Sequence, residues 1–80
     1  MTLDQGIIGK TYVVDRFDLP EGIERRLETL GMTPGIHVRI LHAKRASTVI
    51  IRFRSQKFAL GKGIIKGIHV HETEREGAHE

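Results

Sequence analysis

The hydrophobic and polar positions of the chain follow a strand-like pattern over most of its length. In residues 37–43 the side chains of Val38 and Ile40 fall on one face and those of Arg39 and Leu41 on the other, which is the period of two of a half-buried strand. The next alternation is longer, with Val49, Ile51 and Phe53 on the inward face and Ile50, Arg52 and Arg54 on the outward face. Together with runs rich in β-branched and aromatic residues, the pattern predicts five strands: residues 10–17, 37–43, 48–54, 57–60 and 68–71.

One segment has helical periodicity instead. Its apolar residues recur at i, i+4 and i+7, which places them on one core-facing side of a helix: Ile23, Leu27 and Leu30. Asp18 and Glu21 form a capping-box signature, and Pro20 falls in the first turn, where its missing N–H does no harm. Gly31 is positioned to take the left-handed conformation that ends a helix, so we expect a helix of about three turns.

Turn signals connect these elements. Pro34 and Gly35 fit a type II turn, residues 55–56 allow a tight hairpin, and residues 61–67 are long enough for one helical turn. The predicted fold is therefore all-β: a small, strongly bent barrel of about five strands with one short α-helix and one helical turn. Residues 1–72 form the predicted domain, and residues 73–80 form a predicted disordered, acidic C-terminal tail.

The composition excludes several classes of protein. A chain of 80 residues holds one domain with a small core, which leaves little material to enclose a cofactor and a substrate, so we do not expect an enzyme. The absence of cysteine excludes disulfides, thiolate metal sites and a thiol nucleophile. No apolar run approaches the roughly 20 residues that span a bilayer, and the first residues lack a signal-peptide pattern. The protein is therefore expected to be soluble and cytosolic, without insertion into a membrane.

The charge is unevenly distributed along the chain. The net charge of +3 combines −3 in residues 71–80 with +6 in residues 1–70, and no acidic residue lies between Glu28 and Glu72. A positive surface of this kind favours an anionic partner, although lysines and arginines that only keep a small sheet protein soluble would give the same pattern. Nucleic acid is the less favoured partner, because proteins that bind single strands use exposed aromatic side chains and at least Phe53 and Phe58 fall on core faces.

Metal and nucleotide sites have weak support in the sequence. His69 and His71 would project from one face of the last strand, but the sequence places no third ligand beside them. We therefore expect no resident cofactor and at most weak metal binding by these two histidines. The glycines of residues 61–67 lack the long helix that follows a phosphate-binding loop.

Residues 25–35 (RRLETLGMTPG), followed by residues 36–38 (IHV), closely resemble the signature of the FeoA family of ferrous iron transport accessory proteins. Residues 58–60, a one-turn spacer with Ile64 and Ile65, and residues 68–70 are similar to that family's closing strand, helical turn and strand. The resemblance implies an SH3-like barrel in the cytoplasm. It also implies binding to the cytoplasmic portion of the FeoB membrane transporter, a GTPase-coupled Fe(II) permease.

Two classes of function stay open at this point. The first is an adaptor that regulates Fe(II) uptake by docking on the transporter and has no catalysis of its own. The second is a metal-responsive or nucleic-acid-associated module, because the same domain is similar to the C-terminal module of iron-dependent repressors. The single predicted helix argues against the second function. The core needs this helix, so it cannot serve as a recognition helix. Direct chelation of Fe(II) would lack ligands, so Fe(II) binding is expected to be weak.

We expect the docking surface on the outward face of the second and third strands and the loop between them. The candidate partner-binding residues are Arg39, Leu41, Lys44, Arg45, Ile50, Arg52 and Arg54, with Met32 as a further candidate. Positive charge and apolar area are mixed on this face, which suits a modest, reversible interface. Met32 is flexible, as adaptable binding surfaces require, but core packing is its favoured role. The positions expected to be structural are Leu27, Leu30, Gly31, Pro34 and Gly35.

Overall fold

The structure is a computed structural model that describes residues 1–44 and 48–73, with only the backbone of Lys44. Arg45 and, apart from Thr73, the predicted acidic tail lie outside the described residues. A 3₁₀ helix (Leu3–Gln5) precedes strand β1 (Thr11–Phe17) and helix α1 (Glu21–Thr29). The following elements are β2 (His37–Lys44), β3 (Thr48–Phe53), β4 (Gln56–Gly61), α2 (Lys62–Ile65) and β5 (Ile68–Glu72).

The five strands form one antiparallel sheet in the order β4-β3-β2-β1-β5. The mainly β fold with one short helix and one helical turn is therefore confirmed. The strand register shifts between Val14 and Arg16 in β1 and between Ile40 and His42 in β2, and such bulges bend a strand and increase its twist. None of the helices in the described ranges is long and apolar enough to cross a membrane.

The core contains the inward residues that the alternation predicted. Val38 and Ile40 of β2 are buried, and so are Val49, Ile51 and Phe53 of β3. Further buried apolar side chains come from the other elements: Leu3, Tyr12, Val14, Leu27, Met32, Leu60, Ile65, Ile68 and Val70. The rings of Phe53 and Phe58 stack with their centroids 4.7 Å apart, which ties β3 to β4 across the core.

The N-terminal segment packs on the sheet, although the sequence pattern predicted no element there. Leu3 is 1% exposed, the backbone N–H of Val70 donates to the carbonyl of Met1 at 2.8 Å, and Thr2 pairs with His69. A single apolar residue among polar neighbours has no periodicity, so the local sequence could not show this packing.

Helix α1 begins later than its capping signature predicted. Its N-terminal cap is Pro20, without a side-chain hydrogen bond, and the Pro20 carbonyl accepts the N–H groups of Ile23 and Glu24 at 3.0 Å. The backbone N–H of Asp18 donates instead to the carbonyl of Gly67 at 2.7 Å, and the helix starts only after Pro20, whose own ψ of 145° is not helical. The predicted capping box of Asp18 is therefore wrong.

One residue that was predicted to lie in the core, at the end of α1, is exposed in the structure. Leu27 is buried and Ile23 is partly buried, but Leu30 is 44% exposed. The chain leaves the helix at Leu30, and Gly31 takes the left-handed φ of +103° that was predicted for it. The N–H of Met32 then donates to the Leu27 carbonyl at 3.0 Å. Met32, at 0% exposure, thereby occupies the core position that the helical spacing assigned to Leu30.

Candidate partner-binding surface

Three cationic side chains come together on the outward face of the sheet. Arg39 of β2 lies opposite Arg52 of β3, and Arg52 lies opposite Lys57 of β4. Side chains directly opposite each other on antiparallel strands project from the same face at about 5 Å between Cβ atoms. We call Arg39, Arg52 and Lys57 the cationic row. The sequence placed Arg39 beside Arg52 and missed Lys57, although the alternation with Phe58 also pointed Lys57 outward.

No acidic side chain neutralises the cationic row in the described part of the chain. The ion pairs recorded there join Lys10 to Glu72, Arg25 to Glu21 and His71 to Asp15. The Nε atom of Arg52 is buried and has no hydrogen-bond partner among the described residues. Like charges opposite each other on a sheet repel, so an anion on this face would relieve an unfavourable arrangement.

Apolar area lies next to the cationic row. Ile50, two residues before Arg52 on the same face of β3, is opposite Ala59 and His42. Leu41 lies at the bulge of β2, and both Leu41 and Ile50 are partly exposed. We call the cationic row together with Ile50, Ala59 and Leu41 the outer face. Four residues of the outer face are candidate partner-binding residues that the sequence predicted: Arg39, Leu41, Ile50 and Arg52.

Arg54 does not belong to the outer face, which corrects the predicted placement. Strand β3 ends at Phe53, and Arg54 and Ser55 form the hairpin turn, with φ of +54° and +66°. The predicted turn at residues 55–56 was therefore one residue too late. Arg54 lies against Gly31, where a Cβ atom would be 3.2 Å from its Cδ and Nη1 atoms.

Met32, the further candidate near the helix exit, has the core-packing role that the sequence favoured, and its alternative role as a partner contact is wrong. Its side chain has no exposed surface, so it contributes packing in the core and cannot contact a partner on the folded surface. Lys44 pairs with Thr48 through the backbone at the end of the β2–β3 hairpin. Its side chain and Arg45 stay predictions as partner contacts.

The two histidines of β5 have different surroundings. His71 is exposed and its Nδ1 atom lies 2.5 Å from a carboxylate oxygen of Asp15. His69 is partly buried and lies opposite Arg16. Within residues 1–44 and 48–73, no three His, Asp or Glu residues are grouped so that they could hold a metal ion. His71 and Asp15 offer two ligands, fewer than the three or four protein ligands of a firm site.

A single antiparallel sheet of five short strands, with one helix and an N-terminal segment packed on its core, is typical of small SH3-like domains. The model of the FeoA domain matches residues 1–72, and the chain therefore belongs to the FeoA family. No curated protein sequence matches this chain.

Solved structures agree with this fold. FeoA of Stenotrophomonas maltophilia, solved with zinc and described as a prokaryotic SH3 domain protein, is 28% identical, with 88% of each chain covered and a TM-score of 0.77. FeoA of Chlorobium tepidum is 22% identical over 96% of this chain and 75% of that chain, with a TM-score of 0.86. A manganese-dependent transcriptional repressor is 21% identical, with a TM-score of 0.82; the match covers 91% of this chain but only 41% of the repressor.

Proposed function

We propose that this protein is a cytoplasmic accessory protein of ferrous iron uptake, which regulates the FeoB GTPase-permease by binding to its cytoplasmic portion and has no catalysis of its own. The observation that carries the proposal is the FeoA domain match over residues 1–72. The description of the Stenotrophomonas maltophilia FeoA as a candidate activating factor of ferrous iron transport supports the same role.

The outer face is the proposed docking surface. It offers positive charge in the cationic row, while Ile50 and Leu41 offer apolar area beside it. Charge complementarity of this kind steers association and sets specificity, and a mixed surface suits a modest, reversible interface. An acidic surface on the transporter's cytoplasmic domain would also remove the repulsion within the cationic row.

Charge reversal on the cationic row tests this docking surface. We expect an Arg39→Glu/Lys57→Glu variant to bind the purified cytoplasmic domain of the transporter more weakly than wild type by more than about 1 kcal/mol. Isothermal titration measures the affinity, and thermal melting checks that the variant remains folded. Lys62→Glu/Lys66→Glu is the matched control, because it reverses two exposed cations at the α2 turn and changes the net charge equally. A folded Arg39→Glu/Lys57→Glu variant that binds like wild type would contradict docking through the outer face.

The manganese-dependent repressor supports a second candidate function, a regulatory module of the repressor type. The shared feature is the fold, since the identity is 21%. In the described ranges the α-helices have nine and four residues, and α1 is held on the core by Leu27, so neither is free to enter a DNA groove. A gene for a GTPase-permease beside this one would favour the transporter role.

A further inference from the structure

The exit of helix α1 forms a cleft that is separate from the outer face. It has a volume of about 420 Å³ and is lined by Thr29, Leu30, Gly31, Arg54 and Gln56. We call these residues the helix-exit cleft. None of them belongs to the cationic row, and the cleft comes from two parts of the chain that are more than 20 residues apart in sequence.

Arg54 is the single charged residue that lines the cleft. Its side chain makes no ion pair or hydrogen bond within the described part of the chain. The turn places Arg54 next to the end of α1, and both Arg54 and Ser55 have left-handed backbones there. Gly31 leaves room for the guanidinium, since a side chain there would begin 3.2 Å from the Nη1 atom. The positive charge therefore lies at the cleft, and no other described residue neutralises it.

Capping of the helix does not account for Arg54. Cationic side chains often bind the free carbonyls at the end of a helix. Here the carbonyls of Arg26, Leu27 and Glu28 already accept backbone N–H groups of residues 30–32 at 3.0–3.1 Å. The guanidinium is thus available for a group outside the chain.

Leu30 supplies apolar surface to a cleft whose lining is otherwise mainly polar. It is one of the large apolar side chains left exposed in the described residues, at 44%, although its spacing in the helix is that of a core residue. An exposed leucine beside an arginine without an ion-pair partner presents an apolar contact and a bidentate donor for a planar carboxylate. Inorganic phosphate would use the arginine but leave the leucine uncovered.

We propose that the helix-exit cleft binds a segment of a partner protein in which a carboxylate lies next to a branched apolar side chain. The Arg54 guanidinium donates to the carboxylate, and Leu30 packs against the apolar side chain. Binding at the helix-exit cleft does not depend on docking on the transporter, because the two surfaces are different and the test uses no transporter.

N-acetyl-L-leucine is a small probe of this chemistry, because it carries a carboxylate beside an isobutyl group. In a ¹⁵N-labelled sample of the full chain, titration with this probe should shift the amide signals of Gly31, Arg54 and Gln56 in a saturable way. N-acetyl-L-leucinamide, which lacks the charge, and N-acetyl-L-alanine, which lacks the isobutyl group, should each bind more weakly.

Two substitutions assign the effect. Arg54→Gln should weaken binding of the probe about threefold to tenfold, the range between an exposed ion pair and a charge-assisted hydrogen bond. Lys66→Gln removes the same charge at an exposed position outside the cleft and the outer face, and it should leave binding unchanged. The proposal is overturned if the leucinamide or acetate shifts the same amides equally, if the largest shifts occur at the cationic row, if Arg54→Gln has no effect, or if the probe causes no saturable shift.

Discussion

At the scale of single residues, burial separates side chains that look equivalent in the sequence. Leu27 and Leu30 both fall on the predicted apolar face of α1, yet Leu27 is 4% exposed and Leu30 is 44% exposed. Met32, beyond the helix, is fully buried. The free energy of burying an apolar side chain depends on the area removed from water, so these three residues should differ sharply in what they contribute to stability.

Alanine substitution measures this difference. We expect Leu27→Ala and Met32→Ala each to lower the free energy of unfolding by about 2 to 5 kcal/mol, because each removes buried methylene groups and leaves a cavity. Leu30→Ala should change it by no more than about 0.5 kcal/mol, as is usual for surface positions. Urea denaturation followed by circular dichroism gives all three values. A cost for Leu30→Ala as large as that for Leu27→Ala would show that Leu30 is buried in solution.

At the scale of the elements, the β3–β4 hairpin turn determines which residues of the two strands lie opposite each other. The pairs Phe53–Gln56 and Arg52–Lys57 fix a two-residue turn at Arg54 and Ser55, and both turn residues have positive φ, as a type I′ turn requires. A two-residue turn one position later would move every pairing by two residues, so the side chains of β4 would keep their faces but change their neighbours. Lys57 would then lie opposite Arg54 instead of Arg52, and Phe58 would lie opposite Phe53.

Glycine substitutions distinguish the two registers. Ser55→Gly should stabilise the protein by about 1 kcal/mol, because glycine adopts positive φ without the steric cost that serine pays. Gln56→Gly should destabilise it by about 0.5 to 1 kcal/mol, since glycine loses more conformational entropy in a strand. Thermal unfolding of both variants provides the comparison. Stabilisation by Gln56→Gly would place the turn at residues 55–56 instead, because Ser55 has a positive φ in either register and only Gln56 differs.

At the scale of the whole molecule, folding concentrates charge that the chain distributes over many positions. Residues 1–70 carry a net +6, and the sheet brings Arg39, Arg52 and Lys57 from three strands into one row. The described ion pairs of the molecule involve other residues. The folded state therefore has a local repulsion that the extended chain lacks, and this repulsion should weaken in salt.

Reversing the charge at one end of the row tests for this repulsion. Lys57→Glu replaces a like-charge neighbour of Arg52 with an opposite one and should raise the free energy of unfolding by about 0.2 to 1 kcal/mol at low ionic strength. The gain should largely disappear in about 1 M NaCl, where the Debye length falls to roughly 3 Å. Chemical denaturation at both salt concentrations measures it. A gain that is the same in high salt would have to come from something other than charge.

The sequence by itself determined the elements whose cause is local. The alternation in residues 37–43 and 48–54 predicted two strands and their buried faces, and the helical spacing of Ile23, Leu27 and Leu30 predicted the helix. Gly31 and Gly35 marked turns, where their φ values are +103° and +94°, because the tolerance of glycine for a positive φ is a property of the residue itself. The family signature is local as well, because it lies in the continuous stretch of residues 25–35.

Only the tertiary structure decided where Leu30, Met32 and Arg54 lie. Each position depends on contacts between segments distant in sequence, such as the approach of Arg54 to Gly31. The cationic row also depends on the tertiary structure, because Lys57 lies opposite Arg52 only through the register of the hairpin. Periodicity describes the neighbours of a residue along one element, whereas the free energy of burying a side chain or placing a charge depends on the neighbours that folding brings to it.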